Sequence, residues 1–335
     1  MNKAVKIITA VFGCMILLIG CNDKNNTSPY DDILTRQPFA PLTDSIRKEP
    51  ANDELWFRRA VLLNKNNFPE PALADFRKAW SLVKDERYAL GVATILTNKQ
   101  PDSAKMFLLD ALYELPESVL LQMLLARSYD ADGNTRAALD FCNGILHAHP
   151  SRTDVMKLKA ELHDKLDQPD SSIKILETAY QFTPFDIDLN YSLAYKYAES
   201  KNAKVISLCD SLIRIDTVNL HAEPYYYKGI YFSNINDKTK ALAMFEQAIL
   251  RNYQYLNAHI EKGRVLYDQK KFADALKAFT LANTISPKFP DAWYWMGKSQ
   301  EAMGRKADAK LNYLKAYGLD QTFTEAKEAA DKLGN

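Results

Sequence analysis

The chain has 335 residues, with 43 Lys and Arg against 42 Asp and Glu, and a formal net charge of +1. At 47% hydrophobic and 25% charged it has the makeup of a folded globular chain, which excludes long disorder and a polytopic membrane protein. The 11 Gly and 14 Pro are too few for a loop-rich β architecture, and the even charge balance removes the electrostatic footprint of a nucleic-acid binder.

The chain opens MNKAVKIITAVFGCMILLIGC, in which Lys3 and Lys6 precede a 13-residue apolar run from Ile7 to Ile19. A membrane-spanning helix needs about 18 or more such residues, so residues 1–20 read as a secretory signal. Leu18-Ile19-Gly20-Cys21 resembles the lipobox of bacterial lipoproteins. The resemblance implies cleavage after Gly20, a diacylglyceryl thioether on Cys21 and an N-acyl chain. At about 0.8 kcal/mol per buried methylene one acyl chain is marginal, whereas two or three make dissociation slow. Loss of Lys3 and Lys6 with the signal takes the net charge from +1 to −1, so no basic patch assists the anchor. Asn22 to Pro29 is polar, and residues 21–38 are expected to form a flexible linker. In lipoprotein sorting, Asp after the lipidated Cys resembles an inner-membrane retention signal. Asn22 here points instead to the outer membrane, with the periplasmic or surface face left open.

The remainder repeats one unit. Ala222–Tyr255, Leu256–Phe289 and Pro290–Phe323 align without a gap. Gly229, Gly263 and Gly297 fall 34 residues apart, as do Ala241, Ala275 and Ala309; Phe245, Phe279 and Tyr313; and Ala248, Ala282 and Ala316. Small residues at the eighth and twentieth places let two helices approach. The bulky residue at the twenty-fourth fills the space beside them, and Ala at the twenty-seventh leaves room for the next unit. Proline near the thirty-second place stops the second helix. The pattern resembles the tetratricopeptide repeat, a 34-residue helix-turn-helix. It departs at His259, where Trp is usual, and at Gln300 and Gln321, where Tyr and Pro are usual. Further back, Ala126, Ala160 and Ala194 keep the 34-residue step, and so do Pro116, Pro150 and Pro184.

The expected fold is therefore all-α, a right-handed solenoid of about eight repeats over residues 39–335. The repeats start near positions 53, 84, 119, 153, 187, 222, 256 and 290. Phe39 to Pro50 caps the first repeat, and residues 323–333 form an amphipathic C-terminal cap. The repeat from Ile187 is degenerate, with Ile206, Cys209 and Leu212 in place of Ala, aromatic and Ala, so its packing is expected to be looser or shifted by a residue. Cys142 and Cys209 read as two separate buried thiols.

Nothing in the sequence carries recognisable catalytic chemistry. There is no phosphate-binding loop, G-x-S-x-G or H-E-x-x-H. His147 and His149 sit in the last turn before Pro150, without acidic or thiol partners nearby in sequence, and no metal or cofactor is implied. Binding is the better candidate, because stacked repeats curve and the first helix of each repeat lines the inner surface. Places 2, 5, 9, 12 and 13 point inward in the family. These fall on Leu120, Met123 and Arg127; Asp154, Lys157 and Glu161; Asp188, Tyr191 and Tyr195; Glu223, Tyr226 and Ile230; Ile260, Arg264 and Tyr267; and Asp291, Tyr294 and Lys298. Tyr191, Tyr195, Tyr226, Tyr267 and Tyr294 make this face aromatic, and Tyr is enriched in binding hot spots. Arg264 and Lys298 could meet an acidic group, but the absence of Asn at the ninth places disfavours a carboxylate clamp. The resemblance implies a non-enzymatic scaffold at a bacterial envelope membrane that binds a peptide or an envelope protein partner. A glycan-binding lipoprotein and an enzyme with an unrecognised site are the rival readings.

Overall fold

The computed structural model describes residues 29–218 and 220–334. Among the described residues there are 19 α-helices and no strand, and no helix is long and apolar enough to cross a membrane. The signal at 1–20 and the lipidated Cys21 lie outside the described residues. The chain is all-α and built of helical hairpins. Where the period suggested one run from 39 to 335, contacts divide the chain into two compact units, the first ending at Leu121 and the second beginning at Gln122.

The first unit holds α1 (Asp31–Leu34), α2 (Ala40–Lys48), α3 (Asp53–Lys65), α4 (Pro69–Leu82), α5 (Glu86–Lys99) and α6 (Pro101–Glu114). Of the expected linker over 21–38, residues 21–28 lie outside the described residues; beyond them the expectation is corrected, because α1 falls inside it. Leu34 is buried in a core with Phe39, Ala60, Leu63 and Phe76, and Tyr30 and Ile33 pack against that core. The Thr43 hydroxyl donates to the Leu34 carbonyl at 2.7 Å. Tyr30, Ile33 and Leu34, three such side chains in five residues, supply enough burial to order the segment. Beneath them Arg59, 4% exposed, makes a two-pronged pair with Asp75 at 2.7 and 2.8 Å and donates to the Thr43 hydroxyl at 3.0 Å. Burial raises the Asp75 carboxyl above the usual carboxylate range, and Arg59 opposes that rise.

α7 (Val119–Ala131) carries the division at Leu121. The hairpins of the second unit are α9 (Thr153–Lys165) with α10 (Pro169–Phe182), α11 (Ile187–Glu199) with α12 (Lys204–Ile215), α13 (Glu223–Asn234) with α14 (Lys238–Arg251), α15 (Leu256–Asp268) with α16 (Phe272–Ile285), and α17 (Pro290–Ala302) with α18 (Lys306–Leu319). α8 (Thr135–Ala148) precedes them and α19 (Thr324–Lys332) follows, with Ala326 and Ala330 buried. Within this unit the second helix of each hairpin packs against the first helix of the next, α10 on α11, α12 on α13, α14 on α15 and α16 on α17, and the first helices α11, α13, α15 and α17 also lie beside one another in turn.

Three local rules repeat along the chain. The helices before Pro50, Pro116, Pro150, Pro184 and Pro287 each end two residues ahead of the proline. The intervening residue has ψ between 66° and 88°, because proline excludes the residue before it from the helical well. At the fifteenth place the chain turns through a left-handed residue at Asn67, Gly133, Asp167, Lys201, Asn236, Lys270 and Gly304, with φ from 56° to 79°. At the fourth place a side-chain N–H reaches the backbone carbonyl six residues upstream. Trp56 donates to Pro50 at 2.9 Å, Asn190 to Pro184 at 2.9 Å, His259 to Tyr253 at 2.8 Å and Trp293 to Pro287 at 2.8 Å.

Candidate functional site

Three of the inward tyrosines converge in the second unit. Tyr191 and Tyr195, two places in one α11 repeat, and Tyr226 on α13 gather around Tyr227, with ring centroids 6.0, 6.1 and 5.8 Å from it. Tyr255, at the start of α15, closes the group 5.2 Å from Tyr226. The rings meet edge to face, the arrangement their quadrupoles favour. Tyr195 stays 46% exposed, so the cluster keeps an open aromatic surface.

A second focus forms around Trp295. Tyr267 and Tyr294 lie 5.5 and 5.9 Å from its ring, and the Arg264 guanidinium sits over it at 5.4 Å while pairing with Glu261 at 2.8 Å. Phe279 stacks on the same indole, with ring centroids 5.7 Å apart. Lys298 is half-buried and has no ionic partner among the described residues. Two inward assignments need correction. Ile230 and Ile260 are buried in the cores, covered by the neighbouring hairpin.

Beside Tyr195 a cavity of about 230 Å³ is walled by Lys157, Glu161, Asp164, Ser192 and Lys196. It unites three inward places from two successive repeats, Lys157, Glu161 and Tyr195. Its lysines are already matched, Lys157 to Asp186 at 2.8 Å and Lys196 to Asp164 at 2.5 Å. Arg127 reaches Glu161 at 3.3 Å, one repeat away. A wider cleft of about 430 Å³ opens in the first unit against Trp56, Arg59 and Asp75. Its polar floor is the Arg59–Asp75–Thr43 network, whose groups face one another rather than a ligand.

Electrostatics set the state of the tyrosines. Burial raises the hydroxyls of Tyr191, Tyr226 and Tyr255 above the usual phenol range and pushes Tyr227 up to about 12. All are neutral near pH 7, each able to donate and accept one hydrogen bond. The charged side chains acting on the cluster include the carboxylates Glu199, Glu223 and Glu261. Burial raises the Glu261 carboxyl, with Arg264 opposing. Cys142 and Cys209 are separate, buried thiols whose pKa burial raises, to about 11 and about 12, which removes them as nucleophiles. Among the described residues no group of three or more His, Cys, Asp or Glu is placed to hold a metal.

Sequence reasoning overlooked the sixth place. Tyr227 and Trp295, the hubs of the two aromatic groups, hold it two periods apart, and Glu261 holds it in the repeat between. The signal was present as an aromatic recurring after 68 residues.

Comparison with known proteins bears on the fold. Models of the tetratricopeptide repeat match residues 228–288 and 290–323, so the chain carries tetratricopeptide repeats in these two segments. A tetratricopeptide repeat protein from Parabacteroides merdae aligns with a TM-score of 0.60 at 17% identity, over 74% of this chain and 98% of that one. PilW, described as a widely conserved type IV pilus biogenesis factor, gives 0.51 at 17% identity, over 62% and 94%. The Cut9–Hcn1 hetero-tetramer of the APC/C gives 0.51 at 14% identity, over 93% and 61%. No curated protein sequence matches. At these identities the likeness is one of fold.

Proposed function

We propose that the chain is a non-enzymatic scaffold, moored through lipid on Cys21 to a bacterial envelope membrane, with the outer membrane favoured. It captures a peptide or a helix of a partner protein on the inward face of its second unit. The observation that carries this reading is the convergence of Tyr191, Tyr195 and Tyr226 around Tyr227, beside a cavity lined by further inward places. Rigid rings with neutral hydroxyls offer large contact area at little loss of side-chain freedom. The lipid restricts the body to the membrane surface and raises the effective concentration of partners there. Clients compatible with that address are a secretion or motility assembly, an outer-membrane complex or a peptidoglycan enzyme.

The test places a photo-crosslinking residue at position 195 in cells. One recurrent polypeptide adduct is expected, absent when the probe sits at exposed Lys277 on α16. Adducts that are identical from both positions, or none from 195, would defeat the groove reading. The tether is tested separately by Cys21→Ser. This variant should leave the membrane fraction, and continued membrane association would mean another anchor.

A further inference from the structure

We propose that the tyrosine cluster around Tyr227 receives a lysine- or arginine-bearing segment of the partner polypeptide. This rests on the reading of the groove as a polypeptide site and names the chemistry of its occupant. The argument is one of charge matched to π surface.

Glu199 lies one helical turn beyond Tyr195, is exposed, and has no cationic partner among the described residues. Asp188, one turn before Tyr191, likewise has none for its carboxylate among the described residues. The nearest base to Glu223 is His221, whose Nδ1 is 4.0 Å away. Glu261 does have a cation, Arg264, but that guanidinium is held over Trp295 in the other aromatic group. The lysines of the adjoining cavity, Lys157 and Lys196, are tied to Asp186 and Asp164. The face therefore presents unmatched negative charge next to tyrosine rings.

A cation placed there gains twice, from the carboxylates and from the ring faces. An acidic segment is repelled by the same carboxylates. A neutral sugar would use the rings but leave Glu199 and Asp188 without a partner. A basic side chain is the occupant that satisfies both features, and the long stems of Lys and Arg lie well along aromatic walls.

The experiment uses the full-length chain in detergent and fluorescence anisotropy with three versions of one short peptide, bearing Lys, Gln or Glu at alternate positions. The Lys version should bind and the Glu version should not. Tyr195→Ala should weaken the Lys version about tenfold, Tyr195→Phe should restore most of it, and Glu199→Lys should abolish it. Asp274→Lys, an equal charge change on exposed α16, should leave binding unchanged. Equal binding of the Gln and Lys versions, or no effect of Tyr195→Ala, overturns the proposal. The groove reading fails separately. If a displayed library yields non-basic peptides that Tyr195→Ala releases, only the basic-segment proposal falls. If the folded chain binds no polypeptide, both fall.

Discussion

The hairpins of residues 222–323 and those of residues 122–215 reach the same packing with opposite choices of volume. In the later group the twenty-fourth place is a ring, Phe245, Phe279 or Tyr313, and the eighth is glycine. A Cβ on Gly229 or Gly263 would lie 2.5 Å from the partner ring, and one on Gly297 would lie 2.7 Å away. In the earlier group the twenty-fourth place is Cys142 or Leu176, with Cys209 one residue ahead of it in the shifted repeat, and the eighth is Ala126, Ala160 or Ala194. Volume removed at one position is returned at the other, as close packing demands. Phe76 in the first unit sharpens the rule. Its own repeat has Ala60 at the eighth place, and its ring lies instead against Gly91 on the next helix, 2.6 Å from where a Cβ would be. Gly91 is the eighth place of the next repeat, so glycine keeps its place and follows the ring across the repeat boundary.

The largest effect should come from breaking this match. Gly263→Leu drives a side chain into Phe279 and should lower stability by about 3 kcal/mol, read as a fall in the denaturation midpoint of the second unit. The comparison also predicts how to repair a milder lesion. Gly263→Ala and Phe279→Leu should each destabilise, by about 1–2 kcal/mol. Together they recreate the Ala160–Leu176 pair and should cost clearly less than their sum. Strict additivity in that double-mutant cycle would show that the ring and the glycine are not coupled.

The same contrast explains what the sequence made legible. The 34-residue step was readable from Gly229 to Ala316 because ring, glycine and alanine recur in register, and the tetratricopeptide models match there. It blurs between Ala194 and Gly229, which are 35 residues apart. The structure shows why. Val205, not Ile206, takes the twentieth place, and Val205, Cys209 and Leu212 form the buried row one residue early, because α12 is 12 residues long where α10 and α14 have 14, and the connection on to α13 is longer. The shift was anticipated from the residues, but its direction needed helix boundaries. The aromatic hubs Tyr227 and Trp295 were missed for a different reason. The family's inward places say which way a side chain points, but not that large rings at the sixth place span the seam between hairpins. The order of residues 30–38 escaped because Ile33 and Leu34 have meaning only against Phe39 and Phe76.

His259 read as a departure from the repeat, yet its Nε2–H makes the same bond to an upstream carbonyl as the indoles of Trp56 and Trp293. The substitution keeps the donor and adds a proton-binding site. Burial holds the His259 pKa below the usual 6.5, so the unfolded chain takes up a proton more readily than the folded one. Its contribution to stability is complete above that value and declines as pH falls through the window below it. His259→Trp should remove the decline. The gap in Tm between variant and parent should widen from about pH 7.5 to about pH 5.5, and a gap independent of pH would show that His259 does not titrate on unfolding.

The smallest effect concerns the fifteenth place, where the two groups of hairpins share one geometry and each fills it with a glycine, a lysine and an Asp or Asn. Gly304 and Gly133 adopt the left-handed turn without penalty, while Lys270 adopts it at φ 61° with a Cβ in the way. The Lys270 side chain is exposed and makes no hydrogen bond or ion pair among the described residues that would repay the strain. Lys270→Gly should therefore raise stability by about 0.5–1 kcal/mol, less the entropy that glycine adds to the unfolded chain. The same change made one place earlier, Gln269→Gly, falls in right-handed backbone at the end of α15 and should lower stability instead. Opposite signs at adjacent positions would tie the effect to the backbone angle, since both variants lose a long side chain at the same turn. Equal signs would mean that the turn tolerates either hand, and that its polar residues are there for solubility.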